Sequence, residues 1–99
     1  MYGTIARFRI KPGKESQLRK IIEDQAYAEG KIPGFVATYA YRLDSDPQEI
    51  YIAVLFTTKE AYWANARDPE QDARYRQLLP LFEQEPEWHD GEVIFVQQV

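Results

Sequence analysis

The order of local patterns constrains this chain most: strand, helix, strand, strand, broken helix, strand, using nearly all of its 99 residues. Tyr2 to Ile10 alternates, with Tyr2, Thr4, Ala6, Phe8 and Ile10 on one face and Gly3, Ile5, Arg7 and Arg9 on the other. Lys11-Pro12-Gly13 makes a turn. From Lys14 to Glu29, the residues Leu18, Ile21, Ile22, Gln25 and Ala28 recur at helical spacing and form one apolar stripe. Gly30 stands where a helix cap is expected. Ile32-Pro33-Gly34 breaks the chain before a strand from Phe35 to Arg42, and the polar turn from Leu43 to Gln48 follows.

Glu49 to Phe56 is the least ordinary segment. Ile50, Ile52, Val54 and Phe56 alternate with Tyr51, Ala53 and Leu55, so neither face is polar. Such a strand belongs inside a sheet that is covered on both sides. Thr57 and Glu60 read as a capping box opening a short helix to about Arg67. Asp68-Pro69 restarts it, with Asp68 as cap and Pro69 at the first helical position. Tyr75, Leu78, Leu79 and Phe82 supply its apolar side, and Pro80 ends or kinks it near Leu79. Trp88 to Val99 reads as a long last strand, able to run past its own sheet to a partner subunit. The expected fold is α+β, a ferredoxin-like β-α-β-β-α-β unit with a four-stranded antiparallel sheet in a single domain spanning residues 1–99. Two helices cover one face of that sheet, and a second copy of the chain is expected on the other.

Composition excludes several classes of function. The formal charge of −4 argues against nucleic acid, which calls for clustered Lys and Arg. No apolar run approaches the roughly 20 residues of a membrane span, and no basic amphipathic helix is present to lie on a membrane. The start, Met1-Tyr2-Gly3-Thr4-Ile5, lacks the pattern of a secretory leader, so a cytoplasmic protein is expected. With no Cys there are no thiolate ligands, disulfides or Cys nucleophile. The only histidine, His89, cannot make a metal site alone, and it stands in an acidic edge with Glu85, Glu87 and Asp90.

Four stretches carry a resemblance: Lys11-Pro12-Gly13-Lys14 after the first strand, Ile32-Pro33-Gly34-Phe35 entering the second, Thr57-Thr58-Lys59-Glu60-Ala61-Tyr62 at the second helix, and Arg67-Asp68-Pro69-Glu70 after it. With the element order, they make the chain resemble the antibiotic biosynthesis monooxygenase-like family of dimeric α/β barrels. The resemblance implies a homodimer whose two sheets face each other, with a pocket in each subunit between sheet and helices. It also implies a range of activities. Some relatives oxidise polyaromatic phenols with dioxygen and no cofactor, some degrade haem, and others have no assigned activity. In haem-degrading relatives an Asn on the first strand, a Trp on the second helix and an axial His mark the site. Here those positions hold Ala6, Asn65 and Arg74 or Tyr75, so haem ligation is not expected; with no Gly-rich phosphate loop for a flavin or nicotinamide, the expectation is no cofactor.

Asn65 is the leading candidate. Thr58, Ala61, Tyr62 and Asn65 share one helix face, and Ala61 and Tyr62 belong to its inward side. An amide aimed into an apolar interior needs a partner, either a bound carbonyl or phenol or the nearby helix-end backbone. Tyr75 offers a hydroxyl on the inward face of the next helical piece, as an oxyanion donor or as a core tyrosine. Trp63, Tyr62, Phe8, Leu79 and Phe82 are the expected substrate-binding walls; cofactor-free relatives use a Trp, an Asn and a Tyr in their pockets. Arg7 is expected to pair with Glu49 or Glu92. The reading is a cofactor-independent monooxygenase acting with dioxygen on a small aromatic, phenolic or quinol-type molecule. The alternative is a non-catalytic binding or regulatory module of the same fold.

Overall fold

The computed structural model describes residues 1–99, the side chain of Tyr27 excepted. Its elements are β1 (Tyr2–Arg9), α1 (Glu15–Glu29), β2 (Phe35–Arg42), β3 (Glu49–Phe56), α2 (Lys59–Ala66), α3 (Pro69–Arg76), a 3-10 turn (Leu79–Leu81) and β4 (Glu87–Glu92). The strands form one antiparallel sheet in the order β2-β3-β1-β4. This is the ferredoxin-like arrangement, with its second helix in two pieces. β3 is interior, as its two apolar faces require.

Register decides which side chains meet the helices. Thr4, Ala6 and Phe8 of β1 lie opposite Val54, Ile52 and Ile50 of β3, and opposite Asp90 and Trp88 of β4 at the first two positions. These residues face α1, α2 and α3, and Ala6, Phe8, Ile10, Leu18, Ile50, Leu81 and Phe82 form the buried core. The other face carries Ile5, Arg7, Tyr39, Tyr41, Leu55 and His89, with no element of this chain above it.

The turns explain the docking of α2. Gly34 has φ +78°, and a Cβ there would come within 2.6 Å of the Ala61 Cβ. Thr57 N–H donates to the Gly34 carbonyl at 2.8 Å, so the Ile32-Pro33-Gly34 turn seats the start of α2. The cap is therefore one residue later than expected: Thr58, not Thr57, accepts from Ala61 N–H at 3.0 Å. Asp68 and Pro69 take their expected places, the Asp68 carboxylate accepting from Glu70 N–H. Gly30 does cap α1, but in a right-handed conformation with φ −63° that any residue adopts.

Two expectations fail on geometry. Helix α3 stops at Arg76, and its end tightens: Gln77 N–H bonds the Arg74 carbonyl and Leu78 N–H that of Tyr75. The shorter repeat of a 3-10 turn rotates the following residues. Leu81 is turned into the core at 2% exposure, and Leu79, expected as a wall, is turned out at 42%. The last strand ends at Glu92 rather than Val99, because Glu92 already lies opposite Tyr2, the first residue of β1. Val93 N–H reaches the Met1 carbonyl, after which the chain continues outside the sheet with Ile94 and Phe95 well exposed. No helix among the described residues is long and apolar enough to cross a membrane.

Candidate functional site

A cavity of about 480 Å³ separates the sheet from the helices. That is within the range of small-molecule sites, roughly 300–1,000 Å³. Its floor is aliphatic, from Ile50, Ile52 and Val54, and its two ends are aromatic. At one end Phe8 stacks on Phe82 at 5.0 Å and meets the Trp88 ring edge-on at 5.5 Å, and Tyr75 lies 5.7 Å beyond Trp88. At the other end Tyr62 makes edge contacts with Tyr2, Phe56 and Trp63.

The polar groups are few and incompletely satisfied. Asn65 Oδ1 and Arg74 Nε are buried with no hydrogen-bond partner, and both residues line the cavity. Native interiors satisfy nearly all such atoms, since each orphan costs about 1–3 kcal/mol. Two orphans on the wall of one apolar cavity make it the candidate site. Sequence periodicity had already turned Asn65 inward; the structure adds that its amide oxygen finds no helix-end backbone to bond.

Tyr62 is more than a wall. Its hydroxyl donates to Asp90 Oδ1 at 2.7 Å. Burial first, and then the Asp90 carboxylate, hold the phenol far above its ordinary value of 10.0, so it stays protonated through the physiological range. Burial likewise raises the Tyr75 hydroxyl, with Glu85 adding to it. Tyr75 is therefore a neutral donor at the Trp88 end of the cavity. Glu29 of α1 lies on the rim, its carboxyl raised by burial and partly held down by Arg74.

The structure brings Asn65, Tyr75, Trp63, Tyr62, Phe8 and Phe82 to this one cavity and leaves Leu79 outside it. It adds Thr4, Glu29, Arg74, Trp88 and Asp90, which pattern reading did not select. Asp90 had a detectable signal, since it shares strand parity with Trp88; Glu29 and Arg74 are charged helix residues that only tertiary packing turns inward. His89 has the opposite parity and points away from the cavity. Arg7 has its carboxylate in Glu49, with Nε 2.6 Å from Oε2, while Glu92 lies at the far end of the strand pair. Among the described residues no group of three or more His, Cys, Asp or Glu is placed to hold a metal ion.

The same fold occurs in solved structures of low sequence identity. SnoaB, a cofactor-independent oxygenase from Streptomyces nogalater, was crystallised as a variant with an asparagine changed to alanine. It is 15% identical, with 96% of this chain and 94% of that chain covered and a TM-score of 0.83. A conserved protein from Methanosarcina mazei is 13% identical over 91% of this chain and 89% of that one, with a TM-score of 0.81. A protein of unknown function from Nitrosomonas europaea is 16% identical over 99% and 93%, with a TM-score of 0.80. No curated protein matches the chain. The sequence pattern of the antibiotic biosynthesis monooxygenase family matches residues 1–77, from β1 through α3, and the chain belongs to that family.

Proposed function

We propose that this protein is a cofactor-independent monooxygenase that oxidises a flat phenolic or quinol-type molecule held between sheet and helices. The observation that carries the reading is the unpartnered Asn65 Oδ1 in the wall of an apolar cavity with aromatic ends. Membership of the family and the fold shared with SnoaB support it. The chemistry asks little of the protein. An electron-rich phenolate or its carbanion form passes an electron to dioxygen, and the radical pair closes a C–O bond to give a hydroperoxide. Loss of water leaves a carbonyl. One oxygen atom stays in the product, the other leaves as water with the two hydrogens of the oxidised carbon, and dioxygen takes up four electrons.

Asn65 Oδ1 accepts from the phenol O–H of the incoming molecule and so orients the reacting oxygen, and Tyr75 and the Trp63 indole N–H are donors for the anion that develops on it. A dry cavity strengthens each of these contacts. The molecule works as a homodimer, the second copy covering the open face of the sheet, where Ile5, Tyr39 and Tyr41 lie half exposed in the single chain. A stable pair of this kind buries more than about 1,000 Å².

The test is oxygen uptake in the presence of anthrone. The wild-type protein is expected to consume oxygen and release anthraquinone faster than buffer does. Asn65→Ala should slow that reaction by about tenfold to a thousandfold, because the phenol loses the acceptor that orients it, with an unchanged melting temperature. Equal rates for wild type, Asn65→Ala and buffer across several phenols would leave a binding module as the better description.

A further inference from the structure

We infer that the cavity selects a ligand bearing an ionised oxygen, an aromatic carboxylate that also carries a hydroxyl, and that Arg74 is the residue that selects it. This rests on the reading of the cavity as the ligand site, not on the oxygenase chemistry.

Three arginines of the chain are not fully exposed: Arg7, Arg9 and Arg74. Arg7 and Arg9 share the buried Glu49 carboxylate, and Arg9 also holds Asp46 and Glu83. Arg74 makes no ion pair among the described residues. Its Nη2 donates to Gln71 Oε1 at 3.0 Å, and its own carbonyl accepts from Gln25 Nε2 at 3.1 Å, which ties α3 to α1. The first contact restrains the side chain and the second the backbone beneath it, and Nε–H is left buried, unpartnered and on the cavity wall. Arg74 is the only cation among the lining residues, and the apolar floor keeps its field from being screened by water.

The orphaned atoms specify opposite partners. Arg74 Nε is a donor and requires an acceptor oxygen, best an ionised one, since a guanidinium pairs most strongly with a carboxylate. Asn65 Oδ1 is an acceptor and requires an O–H or N–H. A planar aromatic molecule that carries both a hydroxyl and a carboxylate offers both. Glu29 is the one competitor on the facing helix. Burial disfavours its charged form, so it is a weak rival for the guanidinium.

Three naphthalene probes separate the contributions in calorimetric titrations: 1-hydroxy-2-naphthoate, 1-naphthol and 2-naphthoate. Wild-type protein should bind 1-hydroxy-2-naphthoate at least tenfold more tightly than 1-naphthol. Arg74→Gln should abolish that preference and leave 1-naphthol affinity within twofold, while Arg74→Lys, which keeps the charge but not the Nε–H, should keep part of it. Equal wild-type affinity for 1-naphthol and the hydroxy acid would overturn the inference while leaving the cavity as a ligand site. A matching loss of both ligands in Arg74→Gln and Arg74→Lys, at unchanged melting temperature, would overturn it too, by showing that Arg74 only shapes the wall. Failure of all three probes to bind would remove both this inference and the cavity reading beneath it.

Discussion

The two faces of the one sheet lack opposite things. On the helix side the apolar surface is covered: Ala6, Phe8, Ile50 and Phe56 are all buried. What lacks partners there is polar, namely Asn65 Oδ1 and Arg74 Nε. On the open side the charges are satisfied. Glu49 takes Arg7 through Nε and Nη2 and Arg9 through Nη1 at 2.9 Å. What lacks cover there is apolar, Ile5, Tyr39 and Tyr41 along the strands. An orphaned polar atom calls for a small ligand that can bond it, and uncovered apolar area calls for a surface of matching size. The contrast supports the proposed ligand on one face and the proposed second chain on the other.

Leu55 puts the largest load on that contrast. It lies on the open face of an interior strand, opposite Gly3 and Ala37. If a second copy covers it, Leu55→Asp buries a carboxylate with no partner and costs more than about 3 kcal/mol, enough to dissociate or unfold so small a protein. Light scattering and urea denaturation read the two effects. A wild-type protein that is monomeric at micromolar concentration, with a Leu55→Asp variant of equal stability, would break the comparison by making the open face a solvent face.

The charged corner of the open face sets the next effect, and its sign is fixed. Glu49 sits below its ordinary value of 4.5, first because Arg7 donates to it and then against an opposing contribution from burial. Asp46 is lowered too, mainly by Arg9. Between the folded and unfolded values the unfolded chain binds more protons. The stability these groups contribute is therefore complete above 4.5 and drains away as pH falls through the lower folded value. Glu49→Gln should lower the urea midpoint at about pH 7 and flatten its fall towards about pH 3. An identical pH profile in the variant would mean that the corner is held by packing and not by charge.

How much of this was legible in the sequence follows from the range of each interaction. The bounds of β2 and β3 were readable because Ile32-Pro33-Gly34 and the polar run from Leu43 to Gln48 punctuate them locally. The inward turn of Asn65 was readable from spacing within one helix. The end of β4 was not, because it depends on where β1 begins, some 90 residues earlier. Leu79 was misplaced because periodicity assumed an α-helix where the chain tightens into a 3-10 turn. Arg74 and Glu29 look like ordinary surface charges of amphipathic helices, and they become site residues only when α1 and α3 are laid side by side over the sheet.

Glu29 gives the smallest effect and a sharp check on the cavity face. Burial raises its carboxyl above the ordinary 4.5, and Arg74 only partly opposes this. Here the folded chain binds the extra proton, so stability is lost as pH rises from the unfolded value through the folded one, and below both the cost vanishes. Glu29→Gln should therefore raise the melting temperature slightly at about pH 7, by less than about 4 °C, and leave it unchanged at about pH 3. The sign of the neutral-pH shift carries the information. A fall would mean that Glu29 and Arg74 hold each other as an ion pair. The guanidinium would then have a partner already, and the helix side of the sheet would be as self-satisfied in charge as the open side.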